Sequence, residues 1–251
     1  MADIKRLFYD LETSPNIAFA WRCGGKQFVS HESVIQERAV ICICWKWEGQ
    51  KTVHSMTWKK GDDREMLQRF MAIALQADEL VAHNGDRFDI KWFNTRCLYH
   101  RIDPAPIWKT VDTLAIARSR FYFNSNKLDY LANFLFGEGK SDTEFGMWKD
   151  IVMHNCRHAM KRMVDYCKRD VELLERVFKE ISPYHNPKSH VGVLNGGEKW
   201  HCPRCGSSSV ITNKTRVTTY GTRKFEMKCK ECNSYFTISN RDHEQYLEAR
   251  A

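Results

Sequence analysis

The chain has 251 residues, 43% hydrophobic and 12% aromatic, which suits one sizeable globular domain with a small second one and argues against disorder. Its longest apolar runs, such as AVICICW, are strand-length, and the opening MADIKRLFYDLE lacks the apolar core of a secretion signal. No membrane span is expected, and the protein is expected to be soluble, intracellular and cytoplasmic. The formal charge of +8 is uneven: residues 1–181 carry 28 Lys+Arg against 25 Asp+Glu, whereas residues 182–251 carry 11 against 6. A local basic excess is an electrostatic footprint for nucleic acid, although it also serves solubility.

A first strand is predicted from about Ile4 to Glu12, followed by an irregular stretch, 14–37, with Pro15 and the pair Gly24-Gly25. AVICICWKW and KTVHSMTW flank the turn-like Glu48-Gly49-Gln50 and predict an antiparallel hairpin. DDREMLQRFMAIALQ predicts a helix capped by Asp62 or Asp63, with Met66, Phe70, Ile73 and Ala74 on one face. ELVAHN and IWKTVDT are short strands; FDIKWFNTRCLYH, TLAIAR and KLDYLANFLFG are helical, the last closed by Gly137. A long helix is predicted from about Arg157 to Ile181, ending before Pro183. Three early strands followed by strands that alternate with helices give an α/β class with a mixed sheet flanked by helices. The expected divisions are a first domain over 1–181, a Pro- and Gly-bearing linker over 182–198, and a small β-rich unit over 199–251 with a short C-terminal tail.

Three short motifs carry chemistry. On a strand, Asp10 and Glu12 share a face, and two adjacent carboxylates want a dication. Asn84, Phe88 and Asp89 lie where an apolar strand ends and a helix opens; Asp89 there also suits the helix dipole. Tyr166 and Asp170 are one helical turn apart, at the edge of a core stripe that includes Met163, Cys167, Val171 and Leu174; Lys168 and Arg169 point elsewhere, toward solvent. Taken singly, each motif has an ordinary reading as a strand end, a helix cap or a rim contact.

Taken in order, the three resemble the tyrosine-type branch of the DEDD, or DnaQ-like, exonucleases, which include the proofreading domains of DNA polymerases. The resemblance covers roughly residues 4–181 and implies a ribonuclease H-like fold. It implies a 3′→5′ exonuclease that hydrolyses phosphodiester bonds, with DNA bearing a 3′ end as the expected substrate. Two Mg²⁺ or Mn²⁺ ions would be held by Asp10, Glu12, Asp89 and Asp170, with Asp10 bridging and Tyr166 orienting the attacking water. Such ions, about 3.5–4 Å apart, stabilise both the entering and the leaving oxygen. Thr13, Asn84 and Phe88 are candidate substrate contacts; His83 is a packed residue or lines the site, and Asp112 reads as a helix cap. The alternatives are an exoribonuclease or structure-specific nuclease of the same fold, or a non-catalytic nucleic-acid-binding adaptor.

Ten cysteines divide into two groups. Cys23, Cys42, Cys44, Cys97, Cys156 and Cys167 are scattered, mostly within apolar patterns, and read as small core residues. Cys202, Cys205, Cys229 and Cys232 form two Cys-x-x-Cys pairs, the spacing of a zinc ribbon with one structural Zn²⁺. The hairpin between them carries Arg216, Arg223 and Lys224 as candidate nucleic-acid contacts; a purely structural ribbon and a protein-docking ribbon are the alternatives.

Overall fold

The computed structural model describes residues 4–22, 24, 28–138 and 145–251; Cys23 and Gly25 lie outside the described residues. Contacts divide the chain into a larger unit, Arg6–Phe178, and a smaller one that contains Lys179–Ala251. No helix among the described residues is long and apolar enough to cross a membrane.

In chain order the strands of the larger unit are β1 (Arg6–Thr13), β2 (Ile17–Ala18), β3 (Val34–Gln36), β4 (Val40–Trp47) and β5 (His54–Thr57). Then come α1 (Arg64–Ala74), β6 (Glu79–Ala82), α2 (Asp89–Tyr99), β7 (Thr110–Asp112), α3 (Thr113–Arg120), α4 (Leu128–Phe136), α5 (Phe145–His154) and α6 (Arg157–Ile181). The smaller unit holds α7 (Val191–Leu194), β8 (Val210–Val217), β9 (Arg223–Cys229), β10 (Tyr235–Ser239) and α8 (Asn240–Glu248).

Five strands form one mixed sheet in the order β5-β4-β1-β6-β7. The β1–β4 and β4–β5 pairs are antiparallel, β1–β6 and β6–β7 parallel. The pleat sends alternate side chains of β1 to opposite layers. Phe8 meets Phe178 of α6 edge-on at 5.3 Å, while Tyr9 meets Phe70 of α1 at 5.6 Å. Asp10 and Glu12 are in phase with Phe8 and so lie on the α6 layer. Helices cover both faces, as the α/β pattern predicts. On α6, Met163, Cys167, Val171, Leu174 and Phe178 are buried, following the predicted stripe. Gly137 closes α4 in the left-handed conformation, φ 68°, as a helix C-terminus favours.

Three features differ from the predicted pattern. The stretch expected to be irregular, 14–37, contains the β2–β3 arm, in which Ile17 faces Gln36. Helix α5 was not signalled, and its Trp148 indole N–H donates to the Thr13 carbonyl at 3.2 Å. Lys168 and Arg169 are half-buried rather than fully solvated.

Asp63 occupies the N-cap position of α1, but its side chain makes no cap hydrogen bond. It is fully buried and accepts from Val40 N at 2.8 Å, from Arg96 Nε and NH2 at 2.8 and 2.9 Å, and contacts His100 Nε2 at 2.6 Å. The group therefore clamps the start of β4 to α2. Burial alone would raise its pKa, yet the bonds to Arg96, Val40 and His100 hold it below the usual carboxylate range. Arg96→Ala strands this charge, and is expected to cost about 3–5 kcal/mol. Lys59→Ala, which removes an exposed and solvent-screened pair with Glu65, is expected to shift the midpoint little. Urea unfolding midpoints compare the two; equal shifts would contradict the clamp.

Candidate active site

β6 pairs with β1 only through Arg6, Leu7 and Phe8. Past Phe8, that edge of β1 has no strand beside it among the described residues. The Leu11 amide there donates to Asp89 Oδ1 at 3.1 Å. Asp89 is the first residue of α2 and is 2% exposed. Leu11 stands between Asp10 and Glu12, so this one bond brings the second motif against the first. From the other side, α6 delivers the third: carboxylate oxygens of Asp10, Glu12 and Asp170 lie within 4.8 Å of one another.

The turn that carries the chain from β6 into α2 is tight. Asn84 has φ 71°, a left-handed conformation that asparagine tolerates better than most residues. A Cβ on Gly85 would meet the Ala82 Cβ at 2.5 Å, so no side chain fits there without a shift. Asp112 caps α3, accepting from Leu114 N at 2.9 Å, and also accepts from Asn84 N at 2.9 Å. It has the capping role predicted for it and holds the turn as well.

Crowding and burial shift all four acids upward. Burial first, then Asp89, Glu12 and Asp170, raise Asp10 well above the carboxylate range. Glu12 is pushed up to about 8 by burial and then by Asp170 and Asp89. Asp89 rises to about 7 through burial, although the Leu11 amide opposes the shift. Burial also lifts Asp170 to about 7, against the hydrogen bond from Tyr166. The Tyr166 phenol rises through burial and the nearby negative charge of Asp170 and Glu12, and so stays protonated at neutral pH.

This arrangement fits hard dications. Octahedral Mg²⁺ with oxygens at about 2.1 Å places its ligands about 3–4 Å apart, and the oxygens of Asp10, Glu12 and Asp170 all fall within 4.8 Å of one another. Asp170 Oδ1 is buried with no hydrogen-bond partner among the described residues, a costly state that a cation would relieve. Asp10, Glu12, Asp89 and Asp170 are the residues that could hold such ions.

A cleft of about 570 Å³ opens beside Tyr166 and Asp170, lined also by His83, Asn84, Arg118 and Lys127. Both His83 ring nitrogens are engaged, Nδ1 with Thr113 Oγ1 and Nε2 with the Asn126 carbonyl, each at 2.9 Å. Burial lowers its pKa, so the ring is a neutral wall of the cleft. Thr13 is buried at a bulge in β1, and Phe88 is half-buried at the entrance to α2. Arg118 and Lys127 are cationic cleft residues that no sequence motif marks; their only signal is basic character in the segments flanking α3 and α4.

In the smaller unit, the sulfurs of Cys202, Cys205, Cys229 and Cys232 lie within 4.8 Å of one another. Cys202 and Cys232 are 3.6 Å apart, as are Cys205 and Cys229. All cysteines among the described residues are free thiols. Four converging sulfurs form a closed set suited to a tetrahedral d¹⁰ cation. Beside them is a small apolar cluster that includes Trp200, Val210, Met227, Ile238 and Tyr246. Residues 182–198, the expected linker, carry α7, whose Val191 N donates to the Pro203 carbonyl at 2.9 Å. The expected tail carries α8, which places Tyr246 in that cluster. On the β8–β9 hairpin, Arg216 pairs with Glu226, whereas Arg223 and Lys224 are exposed and make no ion pair among the described residues.

A family model described as the RNase_H superfamily matches residues 35–182. That span includes Asp89, Tyr166 and Asp170 and begins after Asp10 and Glu12. The chain matches no curated protein sequence. Among solved structures, the chain is similar to a family B DNA polymerase from the hyperthermophilic archaeon Pyrobaculum calidifontis, with a TM-score of 0.56 and 14% identity. The likeness covers 72% of this chain and 25% of the polymerase, so the chain spans about a quarter of that protein's length and shares its fold there.

A carboxyl whose folded pKa is raised binds its proton more tightly in the native state. These acids' contribution to the stability of metal-free protein is therefore fully present below the unfolded carboxylate pKa of about 4 and is lost as pH rises through 7 to 8. Saturating Mg²⁺ should reverse that loss, raising the melting temperature by about 3 °C or more at pH 8 and by less at pH 5. Differential scanning fluorimetry checks this; equal shifts at both pH values, or none, would contradict a dication at these acids.

Proposed function

The chain belongs to the RNase_H superfamily, and from that membership we propose that it is a metal-dependent 3′→5′ exonuclease acting on DNA, of the tyrosine-type DEDD branch. The observation that carries the proposal is the convergence of three carboxylates from β1 and α6, with Asp89 of α2 bonded to the amide between two of them and a protonated phenol beside Asp170. The similarity to a DNA polymerase supports nucleic acid as the substrate class.

Asp10, Glu12, Asp89 and Asp170 would hold two Mg²⁺ or Mn²⁺ ions, which when bound lower the pKa of water and take up charge on the phosphoryl oxygens. The residues of the chain do the rest. Asp10 would serve both ions, Glu12 and Asp170 would hold the one that activates water, and Asp89, held by the Leu11 amide, would support the other. Because Tyr166 keeps its proton, it would orient the water through its phenol oxygen rather than act as a base. Arg118 and Lys127 line the cleft with positive charge suited to the substrate backbone, and Asn84 lines it with an amide.

We assign one structural Zn²⁺ to Cys202, Cys205, Cys229 and Cys232, making the smaller unit a zinc ribbon. Four thiolates and Zn²⁺ carry −2, so residues 182–251 then stand at about +3. Arg223 and Lys224, with no acidic partner, are the hairpin's nucleic-acid contacts; Arg216 is already neutralised by Glu226.

Asp10→Asn and Asp170→Asn are each expected to lower Mg²⁺-dependent nucleotide release by more than about 100-fold, beyond what an outer-shell partner typically contributes. Tyr166→Phe should slow it by about 10- to 100-fold, with the fold intact. The assay uses matched DNA and RNA strands labelled at either end. Mononucleotide release from the 3′ end of DNA supports the proposal. Faster RNA cleavage would reassign the substrate, internal cuts in branched DNA would make it an endonuclease, and binding without cleavage would make it an adaptor.

Changing Arg223 and Lys224 together to Gln should reduce the salt slope of DNA affinity by about 1.4–1.8, whereas Arg216→Gln should change it little. Filter binding across salt concentrations reads this, and an unchanged double-variant slope would move the ribbon to protein docking.

A further inference from the structure

Cys42, Cys44 and Cys167 are not dispersed core residues. Their sulfurs lie within 4.8 Å of one another, and all three residues are fully buried. Cys42 and Cys44 are two apart on β4, so the pleat places them on one face. In the β1–β4 register they stand opposite Glu12 and Asp10, and α6 brings Cys167 to the same layer. The Cys167 thiol donates to Asp10 Oδ2 at 3.3 Å and approaches the Asp10 carbonyl at 3.5 Å. Cys44 Sγ is 3.8 Å from the Val164 carbonyl of α6.

A single buried cysteine is a small apolar residue; three at one point, with a carboxylate oxygen against one of them, form a ligand set. Zinc bound to sulfur at about 2.3 Å in a tetrahedron holds its sulfurs about 3.8 Å apart. The triad needs at most a contraction of about 1 Å to meet that, and Asp10 Oδ2, 3.3 Å from the Cys167 sulfur, is the oxygen that would move in as the fourth ligand. The same kind of grouping, four sulfurs within the same distance limit, recurs in the C-terminal unit.

We propose that Cys42, Cys44 and Cys167, with Asp10, form a second thiophilic site for a d¹⁰ dication of the zinc class. On binding, three S–H bonds are lost, three protons leave to solvent, and three thiolates and one carboxylate bind the ion; no electron is transferred. Thiolates select a soft cation over Mg²⁺, and a dication leaves less net charge beside the carboxylates than a monocation would. The sulfurs are closed from solvent, but Asp10 is half-exposed, so the ion enters past its carboxylate. Asp10 cannot serve this ion and the catalytic dications together. Occupancy therefore switches off cleavage, a consequence that rests on the nuclease reading, although the site itself does not.

The test uses the full chain, reduced, with its ribbon zinc, in excess Mg²⁺ and equilibrated with Zn²⁺. Zinc content and zinc-edge X-ray absorption are measured. The expected result is about two zinc ions per chain with an average of about 3.5 sulfur ligands each. Cys44→Ala and, separately, Cys42→Ala should each return about one zinc with about four sulfurs. One zinc in the wild type overturns the proposal. So does a second zinc bound only through oxygen or nitrogen, with an average of about two sulfurs, or a second zinc retained by both variants. Should a variant fail to fold, as its thermal melt would show, the wild-type spectrum decides. In a parallel assay, added zinc should suppress Mg²⁺-dependent cleavage at least about 10-fold in the wild type and spare Cys44→Ala, as loss of one ligand weakens a metal site. Undiminished wild-type cleavage with the second zinc bound would overturn the switch. Absence of cleavage with Mg²⁺ alone counts against the nuclease reading, while spectroscopy still decides the site.

Discussion

The hydrogen bond from the Leu11 amide to Asp89 is the contact on which the candidate site turns. It exists because β6 stops pairing with β1 after Phe8 and leaves an amide on the strand edge without a backbone acceptor. A buried amide of that kind must be satisfied, and the first residue of α2 satisfies it with a carboxylate. The bond fixes the start of α2 at the level of Asp10 and Glu12. It thereby forces acids from distant parts of the sequence into one small volume. The upward pKa shifts of all four are the electrostatic signature of that placement.

Much of this was legible in the sequence. The alternation of β1, the β4–β5 hairpin and the long stripe of α6 have strong local signals, and their predicted limits agree closely with the structure. The paired carboxylates of β1 and the Tyr166–Asp170 spacing share a face for reasons of simple periodicity. What stayed hidden depends on partners far away. Asp63 looks like a helix cap from its neighbours alone; only tertiary packing turns it toward Arg96 and Val40. Cys167 is separated from Cys44 by more than a hundred residues, so the thiol cluster has no spacing signature of the kind that marks Cys202 and Cys205. Arg118 and Lys127 reach the cleft through the placement of α3 and α4, which a motif does not encode.

In the smaller unit the cysteines themselves are part of the core. Cys202 and Cys229 are buried with Trp200, Val210, Met227 and Tyr246, so the ligand set and the apolar cluster are one packing problem. The capping box at the start of α8, with Ser239 and Asp242 satisfying each other's backbone amides, sets the helix that delivers Tyr246. Glu226 divides the basic hairpin: it pairs with Arg216 and Lys214 and offsets one of their two charges, whereas Arg223 and Lys224 point outward with no ion pair among the described residues.

The placement of β1 at the middle of the sheet and of Asp170 on α6 bears on how the chain is made. Synthesis makes β1 well before α6, which closes the larger unit. Until Tyr166 and Asp170 have emerged from the ribosome and packed, Asp10 and Glu12 lack the helix that faces them. A chain still being translated, or one cut short by premature termination, holds an incomplete acid cluster. The acid cluster is thus a property of the finished larger unit, completed only when its last helix has packed.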